Sequence, residues 1–317
     1  MNTDRISRHH VVAGAGGIGS AIALHLARDG HTVTLVSRSG SGPEHPAVAR
    51  VGLDLTDGHR LADLAQGARS IVNAVNPKYT RWLTDWPPLA AAFLTAAERS
   101  GAGLVTVGNL YAYGPVEGPM TEDLPLRPTS AKAEVRATMW REALAAHEAG
   151  RIRATELRAS DYFGPGARPG VALLNDYVIR PAARRRTAWV PIGDLDAPHS
   201  WTYLPDIAAL AAALATTDDG WGRPWHVPTA APRSMRQVVQ DVAALGDGRG
   251  RGNGKVAMMP GRTLVRALIP TARELKHTEY QFVAPFVLDS SRTQEAFGLA
   301  PTPWTDALAA TGAHYQR

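Results

Sequence analysis

Through the first half of the chain, short apolar runs alternate with longer stretches whose apolar residues recur at helical spacing. Val11, Val12 and Ala13 give way to a glycine-rich turn and then to Ile22, Leu24 and Leu26. That order predicts strand, tight turn and helix. Further apolar segments predict strands over 32–36, 48–53, 70–75, 103–108 and 152–158. Alanine-rich periodic stretches predict helices over 59–65, 89–100 and 134–149. Strands that alternate with helices pair in parallel through right-handed crossovers. The predicted fold class is therefore α/β, a doubly wound parallel (Rossmann) sheet whose ligands lie at the carboxyl ends of the strands.

After residue 158 the pattern loosens. Gly164-Pro165-Gly166 and Pro169-Gly170 mark an excursion. Pro205-Asp206-Ile207 opens an alanine-rich helix, 225–227 reads as a strand, 235–245 as a helix, and Thr305-Asp306 starts a last helix. Two parts follow. A dinucleotide-binding domain spans 1–166, with 206–228 returning to it. A smaller C-terminal substrate-binding lobe takes 167–205 and 229–317.

The glycines of the first turn carry chemistry. Gly14, Gly16 and Gly19 stand at the G-x-G-x-x-G spacing, with Gly17 and Ile18 between them. Gly14 can take backbone angles closed to other residues. Gly16 leaves room for a pyrophosphate, and Gly19 lets helix and strand pack closely. The free N–H groups at the start of the helix then face the phosphates. After the second strand the chain reads Ser37-Arg38-Ser39, with no carboxylate for a ribose 2′-hydroxyl. Arginine with two hydroxyl donors suits a 2′-phosphate, so NADP(H) is favoured over NAD(H).

Composition narrows the class. A hydrophobic fraction of 44% supplies a real core, and no apolar run is long enough to span a membrane. Residues 1–10 are polar and do not read as a secretory leader. The absence of cysteine excludes disulfides and thiolate chemistry and fits a cytoplasmic protein. The 11 histidines form no H-E-x-x-H pattern, so no metal is expected. The net charge of +5 is spread along the chain without an aromatic stacking ladder, which argues against a nucleic-acid partner. Two basic clusters, Arg184-Arg185-Arg186 and the Gly/Arg stretch 246–255, read as a helix end and a surface loop.

Five segments then stand in a familiar order. They are Asp54-Leu55-Thr56-Asp57, Asn76-Pro77, Asn109-Leu110-Tyr111-Ala112-Tyr113-Gly114, Arg158-Ala159-Ser160-Asp161-Tyr162-Phe163-Gly164-Pro165-Gly166, and the stretch 202–207. Together with the glycines they resemble the extended short-chain dehydrogenase/reductase family, the group of NAD-dependent epimerases and dehydratases. The resemblance places Asp54 and Leu55 beside the adenine and Asn76 at the cofactor turn. It also implies a homodimer through two helices of the nucleotide-binding domain.

The catalytic pattern departs from that family, which uses a serine or threonine and a Y-x-x-x-K pair. Residues 121–136 align on its T-E-D-x-P-x-x-P-x-S-x-Y-x-x-x-K segment without gaps. Lys132 then falls at the tyrosine, Arg136 at the lysine and Asn109 at the serine. Matching Lys132 to the family lysine instead puts Pro128 at the tyrosine. Lys132 and Arg136 share a helix face. Arg136 would hold ribose hydroxyls, Lys132 would move the proton beside the cofactor, and Asn109 would polarise an oxyanion. A lysine in that role resembles isoflavone-reductase-like relatives. Tyr111 and Tyr113 are alternative sources of the missing phenol. Tyr79, Trp82 and Trp86, in a proline-flanked loop, would cover the substrate. Asp161, His199, Trp201 and Tyr203 would contact it from the second lobe.

The leading expectation is an NADP(H)-dependent oxidoreductase that reduces a carbonyl or a conjugated or imine-like double bond of a small organic molecule. One alternative is a nucleotide-sugar epimerase or dehydratase with a recycled cofactor and Arg168, Arg180 and Arg184 on its pyrophosphate. Another is a non-catalytic NADP(H) sensor.

Overall fold

Strands and helices interleave from the first described residues onward. In chain order the elements are β1 (His9–Ala13), α1 (Gly17–Arg28), β2 (Thr32–Ser37), β3 (Val48–Gly52), α2 (Gly58–Leu64), β4 (Ser70–Asn73), α3 (Trp82–Ser100), β5 (Gly103–Asn109), α4 (Ala131–Glu148) and β6 (Ala154–Ala159). There follow β7 (Tyr162–Phe163), α5 (Arg180–Ala183), β8 (Ala188–Val190), β9 (Thr202–Tyr203), α6 (Leu204–Thr216), β10 (Pro224–His226), α7 (Met235–Ala244), β11 (Val256–Met258), α8 (Tyr280–Val283), α9 (Ser291–Phe297) and α10 (Trp304–Gln316). The computed structural model describes residues 8–245, 254–261 and 275–316. Residues 1–7 and most of the basic stretch 246–255 lie outside the described residues.

The chain forms two units. The first is Met1–Asn109, Ala131–Arg158 and Ile207–Trp225; the second is Leu110–Ser130, Ala159–Asp206 and His226–Arg317. The first unit is built on a seven-stranded sheet of order β10-β6-β5-β4-β1-β2-β3. The pairs β5·β4, β4·β1, β1·β2 and β2·β3 are parallel, as the strand–helix alternation requires. The chain order reverses beside β1, which is the switch point where such sheets bind ligands. Val11, Val12, Leu35, Ile71, Val72 and Val105 are buried in the sheet, and Ile22, Leu26, Leu61 and Phe93 cover it from the helices.

One predicted loop is a helix. The sequence pattern places Tyr79, Trp82 and Trp86 in a proline-flanked loop. Instead, Tyr79 lies in a 3₁₀ turn and α3 starts at Trp82, with Pro87 and Pro88 inside it. An interior proline costs about 3 kcal/mol. Trp82, Trp86, Leu89 and Phe93 recur at helical spacing and are all buried. Burying each such side chain is worth about 1.5–3 kcal/mol, enough to carry the helix through both prolines.

In the second unit, Phe163, Leu174, Val178, Ile192, Val238 and Leu308 belong to one buried cluster. α7 begins with a capping box. Ser234 Oγ accepts from the Gln237 N–H, and Gln237 Oε1 accepts from the Ser234 N–H, which satisfies two helix-end donors at once. Among the described residues, no helix is long and apolar enough to cross a membrane.

His10 on β1 is fully buried. Its Nδ1 lies 2.9 Å from Ser70 Oγ and its Nε2 3.1 Å from His31 Nδ1. Burial, reinforced by His31, Arg69 and His9, pushes its pKa down from the ordinary 6.5 to about 3. The unfolded chain therefore binds a proton between those values that the folded chain refuses. His10 lends its full stability above pH 6.5 and loses it as the pH falls toward 3, by about 1.4 kcal/mol per pH unit. Urea melts from pH 7 to pH 4 should show a shallower acid slope for His10→Leu than for the wild type; equal slopes would contradict this.

Candidate active site

The glycine turn of the first unit is held by close backbone contacts. The Gly14 N–H donates to the Val36 carbonyl at 2.8 Å, and Gly14 has φ +103°. A Cβ at Gly14 would lie 2.7 Å from the Ala74 carbonyl oxygen. One at Gly19, in the first turn of α1, would lie 1.8 Å from the Gly14 carbonyl oxygen. α1 can approach β1 and β4 this closely only without that side chain. Gly16 differs: a Cβ there would meet nothing within 4 Å. It occupies the N-cap of α1 in extended conformation, with no side-chain cap. The N–H groups of the first turn, which includes Gly17 and Ile18, thus stand beside open space, as a phosphate cradle needs.

The rim beyond β2 is more self-contained than its sequence suggests. Ser37 Oγ donates to the Ser41 carbonyl at 3.1 Å, and Ser39 Oγ lies 2.8 Å from Ser41 Oγ. Both hydroxyls close the turn. Arg38 is exposed and lies in the field of Asp54 and Asp85. The Thr56 N–H and hydroxyl donate to Asp54 Oδ1 at 3.1 and 2.9 Å. These bonds, aided by Arg38, hold its carboxyl below the usual range. Leu55 is buried and Asn76 is exposed.

On α4, Lys132 and Arg136 are one turn apart and both buried. Lys132 Nζ sits 3.4 Å from the centroid of the Tyr79 ring, a cation–π contact. Tyr79 packs edge-on against Trp82 at 5.0 Å, and Trp82 against Trp86 at 6.2 Å. The Arg136 Nη2–H donates to the Val107 carbonyl at 2.8 Å and lies 3.9 Å from Glu156 Oε1. Its guanidinium sits 4.8 Å from the Trp86 ring. Glu156 also accepts from Arg158 Nε at 2.7 Å. Arg136, expected to hold ribose hydroxyls, is thus engaged within the interior of the first unit.

Glu156 is the residue that sequence reasoning missed here, and Trp86, expected over the substrate, instead packs on Arg136. The signal of Glu156 was present: Glu156 and Arg158 alternate along β6 and share a face. A charged pair on one face of a buried strand requires a partner.

Asn109 closes β5 and is half-buried. Tyr111 and Tyr113 fall in the second unit, in a 3₁₀ turn. Tyr111 is half-buried. Tyr113 is buried, its hydroxyl 2.9 Å from His226 Nε2. His226 Nδ1 lies 2.7 Å from the Asp289 carbonyl and must donate to it. Nε2 therefore accepts from Tyr113, and that phenol is committed to packing.

The second-unit residues expected to touch substrate divide the same way. Trp201 is buried and donates through Nε1 to the Arg233 carbonyl at 2.8 Å. Tyr203 packs 5.4 Å from Phe163, and burial raises its phenol pKa. His199 is 2% exposed, whereas the Asp161 side chain is 26% exposed and faces it at 3.1 Å. Of the arginines suggested for a pyrophosphate, Arg180 lies 4.0 Å from Asp176 and Arg184 Nε donates to the Tyr315 carbonyl at 3.2 Å. Among the described residues, no group of three His, Cys, Asp or Glu could hold a metal.

Residues 10–227 match the family model described as the NAD dependent epimerase/dehydratase family. No curated protein matches the chain. Among solved structures, MoeE5 in complex with UDP-glucuronic acid and NAD is similar at 22% identity and TM-score 0.77, over 98% of this chain and 99% of that one. A dTDP-glucose 4,6-dehydratase from Bacillus anthracis in complex with NAD is similar at 17% identity and TM-score 0.78, over 97% and 96%. A UDP-glucose 4-epimerase from Thermotoga maritima with UDP-glucose is similar at 15% identity and TM-score 0.77, over 97% and 98%.

These neighbours correct the expectation of NADP(H) over NAD(H), because the cofactor complexes among them are with NAD. The physical reason lies at the end of β2. The hydroxyls of Ser37 and Ser39 are used by Ser41, and Arg38 is exposed within the field of Asp54.

The glycines make opposite predictions. Gly19→Ala places a methyl against fixed backbone and should destabilise the fold by about 1–3 kcal/mol. Gly16→Ala points into open space and should cost less than about 1 kcal/mol. Chemical denaturation of both variants checks this ranking, and the reverse order would refute it.

Proposed function

The chain belongs to the NAD dependent epimerase/dehydratase family, and from that premise we propose that it binds NAD and acts on a nucleotide-linked sugar with the cofactor recycled in place. The observation that carries this reading is Lys132. It is buried in the first turn of α4, where the family resemblance puts a proton-transferring tyrosine, and its Nζ is held at a defined point against Tyr79. The turn fits the cofactor, since Gly16 leaves its phosphate side open above the uncapped start of α1. Gly14, Gly16, Gly17, Ile18 and Gly19 would hold the pyrophosphate, and Asp54 and Leu55 would line the adenosine end.

When bound, NAD would supply a hydride acceptor for a sugar carbon and, in its reduced form, a hydride donor. The protein must then manage the proton of the sugar hydroxyl. Lys132 Nζ would take it as the carbonyl forms and give it back on reduction. The Asn109 side-chain amide would donate to the oxygen that gains negative charge. Arg136 would act through Lys132, because its bonds to β5 and β6 fix the face of α4 that carries both residues. Net reduction of a carbonyl would use the same proton donor but consume one reduced cofactor per turnover. The nucleotide-sugar complexes among the structural neighbours favour recycling.

Incubation with NAD and a panel of UDP- and dTDP-sugars, followed by product separation, should show an epimerised or dehydrated sugar without accumulation of NADH. Lys132→Met should lower turnover by about 10²–10⁴-fold and leave NADH binding, read by fluorescence, within twofold. Gly16→Ala should weaken NADH binding at least tenfold. Unchanged turnover in Lys132→Met would remove Lys132 from the reaction.

A further inference from the structure

Three polar side chains stand in a row on the face of the seven-stranded sheet that α3 and α4 cover. Asn73 ends β4, Thr106 lies on β5 and Glu156 on β6. These are neighbouring strands. Asn73 and Thr106 are register partners of the parallel pair β4·β5, which puts their side chains on one face. Gly108, two residues after Thr106, shares that face, and a Cβ there would fall 2.5 Å from Glu156 Oε1. The surroundings are apolar: Ala90 and Phe93 of α3, Leu104 of β5, Met139 and Trp140 of α4. Together these groups line a cavity of about 20 Å³ in the first unit. Asn73 and Glu156 are buried beside it, and Thr106 is half-buried.

The hydrogen-bonding groups of this row are only partly used by the protein. Asn73 Oδ1 accepts from the Val75 N–H at 3.2 Å, which leaves its NH2 group as a donor. Glu156 Oε2 accepts from Arg158 Nε at 2.7 Å. Glu156 Oε1 lies 3.9 Å from Arg136 Nη2, beyond hydrogen-bond reach. That nitrogen donates to the Val107 carbonyl at 2.8 Å instead. The cavity is therefore bordered by an amide donor, a hydroxyl and a carboxylate oxygen. Buried polar groups are costly without partners, and charged ones most of all. Where a polar contact is too long to be direct, a water commonly fills the gap.

Three requirements select the ligand. It must accept from Asn73 and donate to Glu156, so it carries both a lone pair and a hydrogen. It must be neutral, because a cation would meet the guanidinium groups of Arg136 and Arg158 and an anion the carboxylate of Glu156. It must be small, because a cavity of about 20 Å³ has room for one water and no larger guest. We infer that this cavity is a binding site for a single water molecule. The water accepts from the Asn73 amide, donates to Glu156 Oε1 and shares a hydrogen bond with Thr106 Oγ1. Three partners are the usual number for a buried water. The site lies apart from the glycine turn and from Lys132. It supplies the Glu156 oxygen that Arg136 does not reach, and so lets one carboxylate lie between two arginines beneath apolar helix faces.

A crystal structure of the full-length protein at about 1.5 Å resolution tests the site directly. One rounded density peak should lie about 2.7–3.2 Å from Asn73 Nδ2, Thr106 Oγ1 and Glu156 Oε1. A cavity without density, or one filled by a rotated side chain, overturns the inference. Thr106→Val then keeps the shape of the side chain and removes its hydroxyl. With a water bound there, this variant should lower the melting temperature by about 2–4 °C. In a dry cavity the added methyl would only improve the packing, so an unchanged or raised melting temperature overturns the bound water. Thr106→Ser keeps the hydroxyl and should keep the density peak in place. A peak that survives in Thr106→Val and disappears in Thr106→Ser overturns the assigned contact.

Discussion

Arg136 is where four elements of the first unit meet. Its guanidinium donates to Val107 on β5, lies beside Glu156 on β6 and packs over Trp86 on α3, while its own backbone belongs to α4. A buried charge is tolerated only when partners replace the water it has lost. Here the replacement comes from a carbonyl, a carboxylate and an aromatic face. The sheet must leave space for that carboxylate, and it does so at Gly108, where a Cβ would fall 2.5 Å from Glu156 Oε1. Lys132 is one turn earlier on the same helix. The bonds that hold Arg136 therefore also hold Lys132 against Tyr79.

This network explains how the family fold persists while its proton-transfer pair changes. The glycine turn depends on backbone contact: Gly14 and Gly19 are constrained by Val36, Ala74 and each other. None of those contacts involves α4. The helix can carry a lysine and an arginine in place of a tyrosine and a lysine, provided the second cation finds internal partners. Glu156, the carbonyl of Val107 and the tryptophans of α3 are those partners.

The second unit follows the same rule with different groups. Three of the four residues expected to face a substrate there, His199, Trp201 and Tyr203, are packed in the interior. Their polar atoms are used inward, His199 on Gln281 and Asp161, Trp201 on Arg233. Asp161 keeps an open side.

By itself, the sequence determined the order of strands and helices, the parallel sheet and the glycine turn. Each of these follows from spacing within a few residues: apolar runs for β1, β4 and β5, helical periodicity for α4, and Gly14, Gly16 and Gly19 for the turn. Only the tertiary structure decided what the polar residues do. Arg38 with its flanking serines reads as a phosphate fork until Ser41, Asp54 and Asp85 are seen around it. Trp82 and Trp86 read as loop residues until their burial outweighs two prolines. Arg136, Tyr113 and His199 read as ligand contacts until Glu156, His226 and Asp161 are found beside them. Backbone conformation is set largely by local sequence, whereas a charge or a hydrogen-bonding group takes its role from the partners that replace water, and folding brings those partners from distant parts of the chain.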